Sequence, residues 1–195
     1  MLTLYHAPQS RSSRFIWLLE EIGAPYEIAK VDIRRRDGSG GPDPRNPHPD
    51  KKVPALVHNG VLVTESAAIC AYLSDAFPQA HVGPQVGDPL RAAFLTWLAY
   101  YAGVMEPVII ARAAGLTETD PAQGAAYTAM TERLRGALES QPFLLGDAFS
   151  AADVLVTSVF QWARALMPTG AAFDAYVDHM AQRPALRRAL EKDGG

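Results

Sequence analysis

The chain has 195 residues, 48% of them apolar and 20% charged, with a formal net charge of -3. That balance belongs to a globular protein of one large or two small domains, and it points away from nucleic acid and acidic membranes as partners. A lone cysteine, Cys70, excludes an internal disulfide and a dithiol redox pair, and fits a reducing, cytoplasmic setting.

The opening "MLTLYHAP" is too short and uncharged for a signal peptide, and no run approaches 18 apolar residues, so no membrane span is expected. Residues 2–5, "LTLY", read as a first strand. Residues 12–23 read as a helix with Phe15, Ile16, Leu18, Leu19 and Ile22 on its apolar face and Gly23 as its stop. Residues 25–33 alternate like a strand through Tyr26, Ile28, Val31 and Ile33, and the intervening helix makes the two strands a parallel pair.

Residues 34–51, with four prolines and three glycines, read as a loop. In "VPALVHNGVLVT", Asn59-Gly60 between apolar runs is a hairpin turn, so the third and fourth strands are antiparallel. A helix over about 65–77 ends near Pro78, and 79–88 reads as a linker. From there the pattern is helical to the end. Asp88-Pro89 and Asp120-Pro121 open helices, Pro107 interrupts the first of them, Ser150 starts another, and about 171–192 holds one or two more. Ser150 and Asp153 form a capping box with Phe149 and Val154 as a staple, so Asp153 reads as structural rather than as a catalytic acid. Cys70, among alanines and Ile69, reads as a buried thiol. The five histidines lack ligand spacing, so no metal is expected.

Pro54 stands at the mouth of a strand although proline has no N–H for a sheet. The residues alone leave two possibilities open. A trans proline would simply start the strand. A cis Val53–Pro54 bond would leave the Val53 N–H and C=O facing out for an extended peptide.

The order β-α-β, loop, X-Pro strand, hairpin, helix is that of a thioredoxin-like domain. "SRSSRFIWLLEEIGAPYE", "KVPAL", "ESAAICAYL" and "FSAADVLV" all stand in register with one family. Over essentially its whole length the chain resembles cytosolic glutathione transferases, in a bacterial form with a serine-type active-site loop. The resemblance implies an α/β plus all-α architecture. A thioredoxin-like glutathione-binding domain would span 1–78, with a linker over 79–88 and an all-helical domain over 89–195 that contributes the electrophile site.

It also implies a cis Pro54 with the Val53 backbone paired to the cysteinyl residue of glutathione. Ser66 would hold the γ-glutamyl carboxylate at a helix start, Glu65 the ammonium, and Lys52 the glycyl carboxylate. A hydroxyl beside the sulfur would complete the site. A hydrogen bond to a charged group contributes about 1.5–3 kcal/mol, enough to lower a thiol pKa by roughly one to two units.

Ser10, two residues after Pro8, is similar to the catalytic serine of delta-type enzymes; Ser12 and Tyr5 are the other candidates, in that order. Beta-type relatives would carry cysteine where this chain has Arg11, which argues against a mixed-disulfide mechanism. Arg11 would steady the thiolate or the peptide's charge. Tyr101, Met105 and Arg164 are the residues expected to line an apolar cleft for the electrophile. Two departures stand out: Lys51 replaces the family's glycine before the basic residue, and the Pro/Gly-rich loop leaves the fold's usual second helix in question. The resemblance further implies a homodimer. It leaves open a glutathione-dependent isomerase, dehalogenase or peroxidase, and a non-enzymatic binding module.

Overall fold

The computed structural model describes residues 1–194, which divide into two compact units. The first runs from Met1 to Ala80 and resumes at Arg183; the second is His81–Gln182.

The first unit begins with β1 (Leu2–His6), α1 (Ser13–Ile22), β2 (Glu27–Lys30), β3 (Ala55–His58), β4 (Val61–Thr64) and α2 (Ser66–Ala76), followed by a 3-10 turn, Pro78–Ala80. The sheet order is β2-β1-β3-β4. β1 and β2 are parallel, and the β1–β3 and β3–β4 pairs are antiparallel, which is the mixed, thioredoxin-like sheet the sequence predicts. Alternation along β1 buries Leu2, Leu4 and His6 on one face. β2 is shorter than the 25–33 of the sequence reading. It is an edge strand and lasts only as long as its one neighbour; past the Val31 N–H bond to His6 O at 2.9 Å, β1 offers no further partner. Asn59 (φ 50°) and Gly60 (φ 84°) both take the left-handed conformation, as a two-residue hairpin demands.

No helix or strand forms over residues 31–54. Pro42, Pro44, Pro47 and Pro49 withdraw four N–H groups, so the second helix of the fold cannot close its ladder here. Side chains hold the segment instead. Asp43 accepts the N–H groups of Asp32 and Arg45, and buried Asn46 donates to Lys52 O at 2.9 Å and accepts the His48 N–H at 3.0 Å.

The second unit is helical: α3 (Arg91–Tyr100), a π turn (Tyr101–Met105), α4 (Glu106–Ala113), α5 (Leu116–Thr119), α6 (Pro121–Leu138), α7 (Ala151–Trp162), a 3-10 turn (Arg164–Leu166) and α8 (Ala171–Ala181). The interruption expected of Pro107 appears as the π turn just before it. A helical proline lacks the N–H to the carbonyl four residues back, here Gly103, and its ring crowds that carbonyl. By length and composition alone the run Arg91–Ala113 could cross a membrane, contrary to the sequence reading that no stretch comes near this; yet its Phe94, Leu98, Tyr101 and Met105 are buried within the unit. Asp120 caps α6 by accepting the Ala122 N–H at 2.8 Å, with Pro121 in the first turn. Asp88 does the same for Leu90, although the regular helix opens at Arg91.

The last helix, α9 (Pro184–Asp193), returns to the first unit and packs on α1. The sequence reading places it with the helical domain. Its allegiance is set by charge and small apolar side chains together. Arg183 makes a bidentate pair with Glu21 (2.6 and 2.9 Å), Arg188 and Lys192 both bind Glu20, and Ala185, Leu186 and Ala189 are buried. Burial alone would raise the Glu20 pKa, but hydrogen bonds from Lys192, Tyr26 and Arg188 outweigh it and hold the carboxyl at about 2.

Candidate active site

Sheet register brings three segments to one end of the first unit. Tyr5 stands opposite Ala55, and Ala55 opposite Thr64. The chain leaving β1, the chain entering β3 and the chain leaving β4 therefore share an edge of the sheet. These are the loop carrying Ser10 and Arg11, the Lys52–Pro54 entrance, and Glu65-Ser66. Ala7, Val31 and Val53 pack together beneath them.

In the first segment the hydroxyls form a cluster. Ser12 is wholly buried, and its Oγ lies 2.8 Å from His6 Nδ1, 3.2 Å from the Ala7 N–H donor and 2.7 Å from Ser10 Oγ. Ser10 is half-buried; its Oγ donates to Ala7 O at 2.7 Å and accepts the Ser12 N–H at 3.2 Å. Gln9 has φ +53° and gives its N–H to Asp193 Oδ2 at 3.3 Å. Arg35 donates to Pro8 O at 3.2 and 3.3 Å, tying the loop to the 31–54 segment. Arg11 is exposed, and Tyr5 is half-buried within the sheet. Behind the serines, His6 is wholly buried with Nε2 3.3 Å from Asp193 Oδ1. Burial lowers the His6 pKa below its ordinary value, and the Asp193 charge opposes that.

The second segment holds a cis Val53–Pro54 bond. Regular pairing begins only at Ala55, and Val53 makes no backbone hydrogen bond to the described residues. Lys51 has φ +55°, which explains why glycine suits this position. Here the lysine Nζ donates to Asn46 O at 2.7 Å and anchors a turn that a side chain would otherwise strain. Lys52 is largely exposed, its Nζ 3.4 Å from Asp50.

In the third segment Glu65 is exposed with φ 66° and ψ 126°, rare for a residue with a side chain. Ser66 opens α2. The first helical bond is Ile69 N–H to Glu65 O, so the N–H groups of residues 66–68 have no partner within the helix, and no side chain caps them. Such an end favours a carboxylate.

The residues expected to line an electrophile cleft belong to the helical unit. Tyr101 and Met105 are 1% and 0% exposed on the π turn, core positions rather than open surface. Arg164 lies in the turn after α7, donating to Pro168 O at 3.0 Å and paired with Asp174. In the same unit Arg133 lies 3.9 Å over the Tyr100 ring and 5.1 Å over Trp97. Asp153 is the cap the sequence predicts: Ser150 N–H and Oγ, Leu144 N–H and Tyr176 Oη all donate to it at 2.9–3.1 Å. Burial still pushes its pKa up to about 6. Cys70 is fully buried, as the sequence predicts, which drives its thiol pKa far up despite nearby Arg14.

Sequence reasoning overlooked His6 and Asp193. One signal was available, since period-2 alternation from Leu2 and Leu4 puts a histidine on the inner face of β1. Nothing local announces its partner near the chain's other end.

Known proteins resemble the chain on both units. The model of the glutathione S-transferase N-terminal domain matches residues 1–75, and that of the glutathione S-transferase C-terminal domain matches residues 121–192. Glutathione S-transferase GstA of Escherichia coli O157:H7 is 27% identical over 199 residues, 99% of each chain. The structure of a sphingomonad glutathione S-transferase complexed with glutathione is 27% identical with a TM-score of 0.78, covering 98% of each chain. The ternary complex of BphK, a bacterial GST, is 25% identical with a TM-score of 0.82, covering 99% of this chain and 100% of that one.

Proposed function

Because the chain belongs to the glutathione S-transferase family, we propose that it binds glutathione at the shared end of its sheet and transfers the thiolate to a hydrophobic electrophile. The observation that carries this reading is the Val53 backbone, without a hydrogen-bond partner among the described residues, at the edge where the β1 loop and the start of α2 also emerge. An extended peptide supplies the missing strand there, pairing its cysteinyl N–H and C=O with Val53. The γ-glutamyl carboxylate meets Ser66 and the bare N–H groups of α2, and Glu65 takes the ammonium. Lys52 and Arg11, both exposed, complement the remaining negative charge.

The hydroxyl beside the sulfur is Ser10. Ser12 is wholly buried and engaged by His6 and Ala7, whereas Ser10 is half-buried, and its proton is held by Ala7 O or Ser12 Oγ, each 2.7 Å away, both exchangeable for a ligand. The thiol gives its proton to solvent, and the sulfur lone pair forms a C–S bond. In substitution the leaving group departs with its bonding pair; in addition the adjacent π electrons shift and are protonated. Tyr101, Met105 and Arg164 belong to this reading as residues that shape the electrophile site. Pairing of two copies belongs to it as well, with exposed Val61 and Leu62 on edge strand β4 as available apolar surface.

Retention on immobilised glutathione, followed by turnover of a panel of electrophiles, tests the assignment. Retention with conjugation is expected. Retention without conjugation would remove the transfer step, and failure to bind glutathione would remove the whole reading.

A further inference from the structure

Ser10 ends a run of polar groups that begins at Asp193 and passes through His6 and Ser12. Nε2 of His6 and Oδ1 of Asp193 are shut off from solvent 3.3 Å apart, at ion-pair distance, and neither makes a hydrogen bond to the described residues. His6 Nδ1 lies 2.8 Å from Ser12 Oγ, which lies 2.7 Å from Ser10 Oγ.

Counting protons makes this chain directional. A serine hydroxyl has one proton and two lone pairs. On Ser12 the Ala7 N–H occupies one lone pair. One proton and one lone pair remain; Ala7 O at 3.4 Å is a much longer contact than His6 at 2.8 Å and Ser10 at 2.7 Å, so Ser12 donates to one of these two and accepts from the other. In the outward arrangement Nδ1–H donates to Ser12 and Ser12 to Ser10, leaving the Ser10 proton over. In the inward arrangement Ser10 donates to Ser12 and Ser12 to a bare Nδ1, and no proton is left. Ser10 Oγ is placed for both: in the outward arrangement its proton goes to Ala7 O at 2.7 Å, and in the inward one to Ser12 Oγ at the same 2.7 Å.

Asp193 couples this choice to His6. A carboxylate facing Nε2 demands a proton there. A neutral His6 protonated on Nε2 has a bare Nδ1 and imposes the inward arrangement. An imidazolium satisfies both neighbours and imposes the outward one.

We propose that His6 and Asp193 are positioning residues that set the direction of the Ser12–Ser10 hydroxyl chain, and so decide whether Ser10 has a proton to offer a thiolate. This rests on the reading of Ser10 as the hydroxyl beside the sulfur. The charges acting on His6 are Asp193 from α9, which favours the imidazolium, and Lys30 from β2, which joins burial in opposing it. The serine hydroxyls face it from the loop before α1. By reciprocity, a thiolate accepting from Ser10 stabilises the outward arrangement and raises the proton affinity of His6.

The test is an NMR titration of the His6 ring in the full chain, with glutathione and with S-methylglutathione, which has no thiolate. Glutathione should raise the His6 pKa by about one unit, a tenfold gain in proton affinity, and S-methylglutathione should not. Ser12→Ala keeps the charges but breaks the path, and should abolish the difference. Asp193→Asn offers Nε2 an amide N–H, fixes the proton on Nδ1, and should hold the bound thiol's pKa constant while His6 is titrated. A His6 pKa indifferent to the thiolate, or an effect that survives both variants, would overturn the proposal. Ser10→Ala separates the two failures. If it leaves the ultraviolet titration of the bound thiol unchanged, the Ser10 reading itself falls. If it raises the thiol pKa while His6 stays indifferent, only the relay falls.

Discussion

Asp153 in the helical unit is wholly buried and Asp193 at the end of α9 keeps one oxygen, Oδ1, out of water, but the two meet different kinds of partner. Asp153 receives two backbone N–H groups and two hydroxyls, and its backbone donors cannot reverse. Asp193 meets one backbone N–H and an imidazole that leads to two serine hydroxyls, each able to donate in either direction. A cluster anchored on fixed donors locks a conformation. A cluster of rotatable hydroxyls and an imidazole has two proton arrangements at little change in geometry.

That contrast orders the expected effects. Asp153→Ala leaves Leu144 N–H, the Ser150 groups and Tyr176 Oη buried without an acceptor. It should destabilise the protein by about 4 kcal/mol or more in urea unfolding, with any folded remainder still binding glutathione. Ser10→Ala removes the donor to the thiolate together with the bonds its Oγ makes to Ala7 O and the Ser12 N–H in the free protein. The bound thiol pKa should rise by about one to two units with little loss of glutathione affinity, while the lost loop bonds should cost about 0.5–1.5 kcal/mol in urea unfolding.

Glu20→Gln tests the ion cluster that fastens α9, and hence Asp193, to α1. The folded carboxyl sits at about 2 against an ordinary 4.5. A depressed carboxyl stabilises above its unfolded pKa, and that stability is lost as pH falls. Wild type should therefore exceed Glu20→Gln by about 1–2 kcal/mol near neutrality, after allowance for solvent screening, and the gap should close as pH falls from 4.5 toward 2. Lys51→Gly should have the smallest effect. Relief of the left-handed backbone opposes loss of the Nζ bond to Asn46 O and the added freedom of the unfolded chain, so the midpoint of urea unfolding should move by less than about 1 kcal/mol equivalent.

Features carried by neighbouring residues were legible in the sequence. Asn59-Gly60 encodes its turn, Asp120-Pro121 and Ser150–Asp153 encode helix starts, and four prolines encode the absence of a helix over 31–54. The segments proposed to hold the peptide could be picked out for the same reason, because each is a short run at the end of a strand or the start of a helix. Features set by distant partners were not. β2 stops where β1 stops, α9 joins α1 through Glu20 and Glu21, and Asp193 meets His6 from the opposite end of the chain. No local pattern of residues specifies such pairings.

A crystal structure of this chain with glutathione tests the central claim most directly. The account predicts the cysteinyl N–H and C=O within about 2.7–3.2 Å of the Val53 backbone, and Ser10 Oγ next to the sulfur. A tripeptide bound elsewhere, with the Val53 N–H and C=O still unpaired, would contradict it.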